Sequence, residues 1–216
     1  MNSVLRSLLL VFCLLPSLRA AELAQPGEAI DTVAGLVQWG PLLLKLANQG
    51  AVYSTFSEER WFPIRKKPTV LEGELRFSQE LGLSLRYLKP EEKMMILDDK
   101  GLLLRDAKGR QKASSQDTAG SELGRSLMSI FAFDPEQLRE RFFVCGNRDG
   151  EDWRIDLQPR DPKQAALLGT VTVFGRGEEI RRLMIKKSGN QRVEITIRAT
   201  RQVSGFTQDE RRRYFR

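Results

Sequence analysis

The spacing of hydrophobic positions changes along this chain. Ile30, Val33 and Leu36 recur at helical intervals within residues 28–36, and residues 42–47 continue the pattern beyond Gly40 and Pro41. Pro41 suits the first position of a helix, where a missing N–H costs no intrahelical bond. The pattern predicts two helical pieces broken at Gly40 and Pro41, the second ended by Asn48, Gln49 and Gly50. The period then falls to two. Residues 53–60 are rich in β-branched and aromatic side chains. Leu71, Leu75 and Phe77 alternate with Glu72, Glu74 and Arg76, and Leu83, Leu85 and Tyr87 alternate with Ser84, Arg86 and Leu88. Strict alternation places the two sets on opposite faces of a strand. Residues 94–97 are short and apolar, residues 98–101 form a turn, and 102–104 follow. This reads as a meander of antiparallel strands.

Residues 105–121 are polar and without period, which predicts an exposed loop. Leu123, Leu127 and Ile130 then return to helical spacing within 122–131. Asp134, Pro135 and Gln137 predict a helix start, with Asp134 as the cap, Pro135 first and Gln137 closing a capping box. Leu138 and Phe142 extend that helix. Strands resume at 153–157, stop at Pro159 and Pro162, and continue at 170–174, 180–187 and 192–200. Residues 208–216 read as a basic tail carrying Arg211, Arg212, Arg213 and Arg216. With no repeat and no linker, residues 21–216 form one domain.

Composition removes several chemistries. The 216 residues include no histidine, which excludes Ser-His-Asp and Cys-His catalysis, imidazole metal ligands and an imidazole pH switch. Two cysteines, Cys13 and Cys145, cannot build a cysteine-rich zinc site. Cys145 sits in an apolar run and reads as a small buried hydrophobe. Adjacent carboxylates at Glu58 and Glu59 point to opposite faces of a strand, and no phosphate loop or activated Ser126 is present, so no enzyme is expected.

The first twenty residues have the form of an export signal. Arg6 precedes the apolar residues 8–15, and Leu18, Arg19 and Ala20 end the segment. The apolar run is too short to cross a bilayer as a stable helix. A membrane anchor or a buried helix is the alternative. Phe12 before Cys13 does not suit lipidation. Cleavage near Ala20 removes Arg6 and Arg19, lowering the net charge from +7 to +5. The remaining basic excess fits a soluble surface. It also fits contact of Arg211, Arg212 and Arg213 with acidic headgroups or an acidic partner. Aromatic residues do not interleave with the cations, so nucleic acid is not expected.

The serial order of these segments resembles the LolA-like family of periplasmic outer-membrane lipoprotein carriers. The residues that carry the likeness are Phe56, Ser57 and Glu58; Gly73, Glu74 and Leu75; Pro90; Ile96, Leu97 and Asp98; Trp153 through Pro159; and the closing strands at 180–185 and 193–197. The likeness spans about 42–200. The family's Arg-Pro pair after the Gly-x-Leu strand is replaced here by Gln79 and Glu80, and its usual final segment by Phe206 and the basic tail.

The resemblance implies an α+β, mainly β fold: an open, strongly curved antiparallel sheet, an unclosed half-barrel, covered on its concave side by helices. It implies a lipid cavity lined by Leu75, Phe77, Leu83, Leu85, Met94, Ile96, Leu127, Ile130, Phe131, Val171, Val173 and Ile195. Gln79, Leu123 and Met128 would lie at the lid. It further implies a periplasmic monomer without cofactor or metal, carrying an acylated lipoprotein or another lipid. An inner-membrane transporter and an outer-membrane acceptor would be its partners. The residues alone leave open a filled sheet-on-helix core. They also leave open a sensing or scaffold module of the same fold that binds a protein partner.

Overall fold

The computed structural model describes residues 27–113, 119–188 and 191–216, and of residues 119–123 and 188 the backbone alone. The expected export signal lies outside the described residues. The elements run β1 (Glu28–Ala29), α1 (Val33–Ala47), β2 (Ala51–Trp61), β3 (Thr69–Ser78), β4 (Gly82–Lys89), β5 (Lys93–Asp98), β6 (Gly101–Asp106) and β7 (Gln111–Ala113). Then come α2 (Ala119–Ala132), α3 (Pro135–Arg141), β8 (Phe142–Asp149), β9 (Asp152–Pro159), α4 (Pro162–Leu168), β10 (Thr170–Arg176), β11 (Glu179–Ser188), β12 (Gln191–Val203) and α5 (Gln208–Tyr214).

The twelve strands of the described residues join one antiparallel sheet in the order β1-β8-β9-β10-β11-β12-β2-β3-β4-β5-β6-β7. Tight turns link most neighbours, and Gly82, Gly101, Gly150 and Gly177 supply positive φ at four of them. Helix α4 links β9 to β10, and two pairs join strands distant in sequence: β1 with β8, and at the centre β2 with β12, with Phe56 opposite Ile197 and Glu58 opposite Ile195. The sheet is not closed, and β1 and β7 form its edges. It is nevertheless strongly curved. Leu183 on β11 and Leu85 on β4 line one hollow although three strands lie between them. A flat sheet would hold them about 19 Å apart at ~4.8 Å per strand. Bulges at Phe174/Gly175, Arg198/Arg201 and Glu72/Gly73 bend the strands.

Two cores result. On the concave face Phe56, Leu75, Leu85, Leu157, Val173, Leu183 and Ile195 pack with Trp39 and Leu43 of α1, Ile130 of α2, Leu138 of α3 and Leu168 of α4. On the convex face Met94, Ile96 and Leu103 pack with Phe206, Tyr214 and Phe215. Arg76 lies on that side, its guanidinium 3.6 Å from the centroid of the Tyr214 ring and 3.0 Å from Glu74.

Several expectations are corrected. Residues 28 and 29 pair with β8 as a strand instead of starting a helix. One helix runs through Pro41, because Gly35, Trp39, Leu43 and Leu46 form a single buried stripe that offsets the lost bond. Its N-cap, Thr32, accepts from the Gly35 N–H at 3.1 Å. Residues 111–113 add strand β7 inside the segment read as loop. Phe142 starts β8, a strand missed because the run Phe142, Phe143, Val144 followed a good helix start without alternating. Gln137 bonds the Asp134 carboxylate rather than the cap backbone. Helix α4, capped by Asp161 and begun by Pro162, was missed behind its proline. The basic tail is a packed helix, with Thr207 and Glu210 closing a capping box.

Candidate functional site

The concave face is not completely filled. A hollow of about 300 Å³ lies between the sheet and α2. Its floor is Leu83, Leu85, Met95 and Leu97 from β4 and β5, with Leu183, Ile185, Val193 and Ile195 from β11 and β12. Leu127 and Phe131 of α2 roof it, one turn apart on the helix. Each strand brings its inward side chains in the same order. Leu83, Leu85 and Tyr87 succeed one another on β4, Leu183, Ile185 and Lys187 on β11, and Ile195, Val193 and Gln191 on β12. Period-two geometry puts each set on one face, except for Lys187, which sits at the register shift between Lys186 and Ser188 and borders the hollow there. On these three strands the hollow is therefore apolar in its depth and polar where the strands end, with Trp61 and Phe62 at the β2 end beside the polar groups.

The inward set on β2 differs, because it places Glu58 and Arg60 beyond Phe56. Glu58 is 2% exposed. An unpaired carboxylate at that depth would be costly, and both its oxygens are engaged. Tyr87 donates its hydroxyl to Glu58 Oε2 at 2.7 Å, and Arg60 donates Nε–H to Oε1. Arg60 Nη2 reaches the Tyr87 oxygen at 3.5 Å. The Tyr87 ring meets Phe56 edge-on with centroids 5.4 Å apart, and the Lys93 ammonium lies 5.1 Å from its centroid. Burial raises the Tyr87 pKa above its ordinary value, and the charge and hydrogen bond of Glu58 raise it further. For Arg60 burial acts downward, but the Glu58 bond and charge outweigh it and the pKa is raised.

A smaller hollow of about 40 Å³ lies behind the first, lined by Leu46, Val52, Ser54, Leu75, Phe77, Ile180, Ile197 and others. Phe131 borders both, with its ring centroid 6.3 Å from that of Phe77. Its side chain is thus common to the linings of the two spaces.

Of the expected cavity residues, Leu83, Leu85, Leu127, Phe131 and Ile195 line the larger hollow, and Leu75, Phe77 and again Phe131 line the smaller. Ile130, Val171 and Val173 are core residues, packed on the concave face but bordering neither space. Met94 and Ile96 are corrected: they point to the convex face and meet α5. Met94 to Leu97 is apolar on both faces of the strand, so alternation could not choose between them. The neighbours Met95 and Leu97 are the ones in the hollow.

Among the lid residues, Met128 packs against the concave core, and Leu123 lies on α2 with its side chain outside the described residues. Gln79 donates to the Ala47 carbonyl and so ties the β3–β4 turn to α1. Arg211 pairs with Glu80 at 2.9 Å and Arg212 with Asp209 at 2.9 Å, while the Arg213 carbonyl accepts from Arg105 at 2.7 Å. Cys145 is half-buried, and burial raises its pKa.

The sequence reading missed Glu58, Arg60, Tyr87 and Lys187 as parts of the site. The signal was present: alternation turns Glu58 inward and Glu59 outward, and Tyr87 shares the face of Leu83 and Leu85. Among the described residues no group of three or more potential protein ligands is placed to hold a metal. No described helix is long and apolar enough to cross a membrane.

Solved structures give distant likenesses. A putative outer membrane lipoprotein-sorting protein domain from Vibrio parahaemolyticus aligns at TM-score 0.43 and 12% identity, over 82% of this chain and 95% of that one. The Pseudomonas aeruginosa MucA/MucB complex structure aligns at 0.45 and 14% identity, over 80% of this chain and 59% of that one. A LolA superfamily protein from Nitrosomonas europaea aligns at 0.44 and 5% identity, over 79% and 96%. No curated protein matches the sequence. The family described as outer membrane lipoprotein carrier protein LolA-like matches residues 29–211, most of the chain, and the protein belongs to that family.

Proposed function

We propose that this protein is a periplasmic carrier that shields the acyl chain of a lipoprotein or another lipid in the larger hollow and passes it towards the outer membrane. The hollow of about 300 Å³, apolar in depth and open at a polar rim, carries the reading. Its size falls at the lower end of small-molecule pockets, roughly 300–1,000 Å³. Each methylene withdrawn from water contributes about 0.8 kcal/mol, so the site needs no covalent step or cofactor to hold an alkyl chain. Release requires α2 to move or an acceptor that binds the cargo more tightly. An inner-membrane donor and an outer-membrane acceptor complete the proposal. Titration with a fluorescent acyl probe tests it. Saturable uptake that is lost in Leu85→Glu supports the carrier, and no uptake refutes it.

A second reading, a module that binds a protein partner, is favoured by one feature. The outer stripe of α1 exposes Val33, Val37 and Leu44 at 82%, 77% and 57%, which is unusual for a surface helix. A partner that binds tightly while the acyl probe does not would move the assignment to that reading.

A further inference from the structure

The rim of the hollow carries more charge than an acyl chain needs. Among the described residues, three cations, Arg60, Lys187 and Arg192, border it with one carboxylate, Glu58. That carboxylate is already engaged on both oxygens by Tyr87 and Arg60. Arg60 is thereby held in place: Nε is spent on Glu58 and Nη2 leans on the Tyr87 hydroxyl, leaving further N–H donors on a side chain 31% exposed. Lys187 sits at the register shift that ends the β11–β12 pairing, borders the hollow beyond Leu183 and Ile185, and has no side-chain partner among the described residues. Arg192 pairs with Glu194 at 2.6 Å and lies 4.3 Å over the Trp61 ring.

We infer that the cargo is an anionic amphiphile, its alkyl chain lying along Leu85, Leu183 and Ile195 and its carboxylate or phosphate head meeting Arg60 and Lys187 at the rim. The order of side chains supports one orientation. On β4 and β11 the apolar residues come first and Tyr87 or Lys187 last, so a chain threaded the other way would bury its charge against leucines. A positioned guanidinium suits a planar carboxylate or a phosphate, and Lys187 adds a movable point charge. Glu58 sets this up by fixing Arg60, which makes Glu58 a positioning residue.

The inference rests on the carrier reading, and the test separates the two. Purified protein is titrated calorimetrically with dodecanoate, dodecyl phosphate, dodecan-1-ol and dodecyltrimethylammonium at low and high salt. The anions are expected to bind roughly tenfold or more tighter than the alcohol, as a hydrogen bond to a charged group implies, and the cation weakest. Added salt should narrow that gap. The two anions rank carboxylate against phosphate as the headgroup. Lys187→Gln should weaken the anions about fivefold and leave the alcohol unchanged. The double variant Glu58→Gln/Arg60→Gln, which strands no buried charge, should erase most of the preference. Equal binding of alcohol and anions, or a preference for the cation, overturns the headgroup inference while the hollow still holds alkyl chains. Binding of none of the four overturns both it and the carrier reading.

Discussion

Tyr87 donates its hydroxyl to Glu58 Oε2 at 2.7 Å over β3, in the wall of a hollow otherwise lined mostly by aliphatic side chains. Removing that hydroxyl in Tyr87→Phe leaves a buried carboxylate oxygen without its donor. A loss of about 1–3 kcal/mol is expected at neutral pH, read by urea unfolding.

The same tyrosine sets an alkaline dependence. The pKa of Tyr87 is raised in the folded protein, first by burial and then by Glu58. A raised value means the folded state holds the proton more tightly than the unfolded chain. Stability from this group is therefore complete below the ordinary tyrosine value of about 10 and falls as pH rises beyond it. Melting temperatures from pH 8 to 12 should fall more steeply for the wild type than for Tyr87→Phe. Parallel curves would show that burial and Glu58 together do not hold the proton on Tyr87 more tightly in the folded protein.

The two faces of the sheet should answer differently to mutation. Leu85→Glu and Ile195→Glu place a charge in the hollow and should abolish acyl-probe binding more than they lower stability. Ile96→Ala, on the convex face, should cost about 2–5 kcal/mol and leave the affinity of the folded protein unchanged. Equal losses of binding and stability in Leu85→Glu and Ile195→Glu would mean that the concave face is ordinary core.

Phe131 should set the length of chain accepted. It borders the spaces of about 300 and 40 Å³, and Phe131→Ala would join them. Affinities across an alkyl series should shift towards longer chains in the variant. An unchanged optimum would mean that the smaller hollow takes no part.

Helix α5 should behave as part of the fold. Phe215 is 2% exposed, and Phe215→Ala should cost about 3–5 kcal/mol in urea. The neighbouring Arg211–Glu80 pair is largely exposed, and Arg211→Gln should change stability by at most about 1 kcal/mol. A near-neutral Phe215→Ala would contradict the packed tail.

The sequence was most legible where one face of a strand was polar. Leu71, Leu75 and Phe77 against Glu72, Glu74 and Arg76 could be assigned to faces at once, and the structure follows. It was least legible where both faces are covered. Met94 to Leu97 is such a case, because the tail helix that buries Met94 and Ile96 reads as a run of charges with only Tyr214 and Phe215 to anchor it. Strand β8 was hidden for a related reason: Phe142 and Val144 face the core while Phe143 stays exposed, so the apolar run masks the alternation. The polar half of the site was visible only as types. That Glu58, Arg60 and Tyr87 meet depends on β2 and β4 flanking β3, a register no local pattern reports.

Native mass spectrometry of protein isolated gently from its own cells addresses the carrier claim most directly. The account predicts an adduct of acyl-lipid mass, acidic in its headgroup, that is lost on denaturation. A bare mass throughout, with no uptake of added dodecanoate, would contradict it and leave the exposed face of α1 as the surface to pursue.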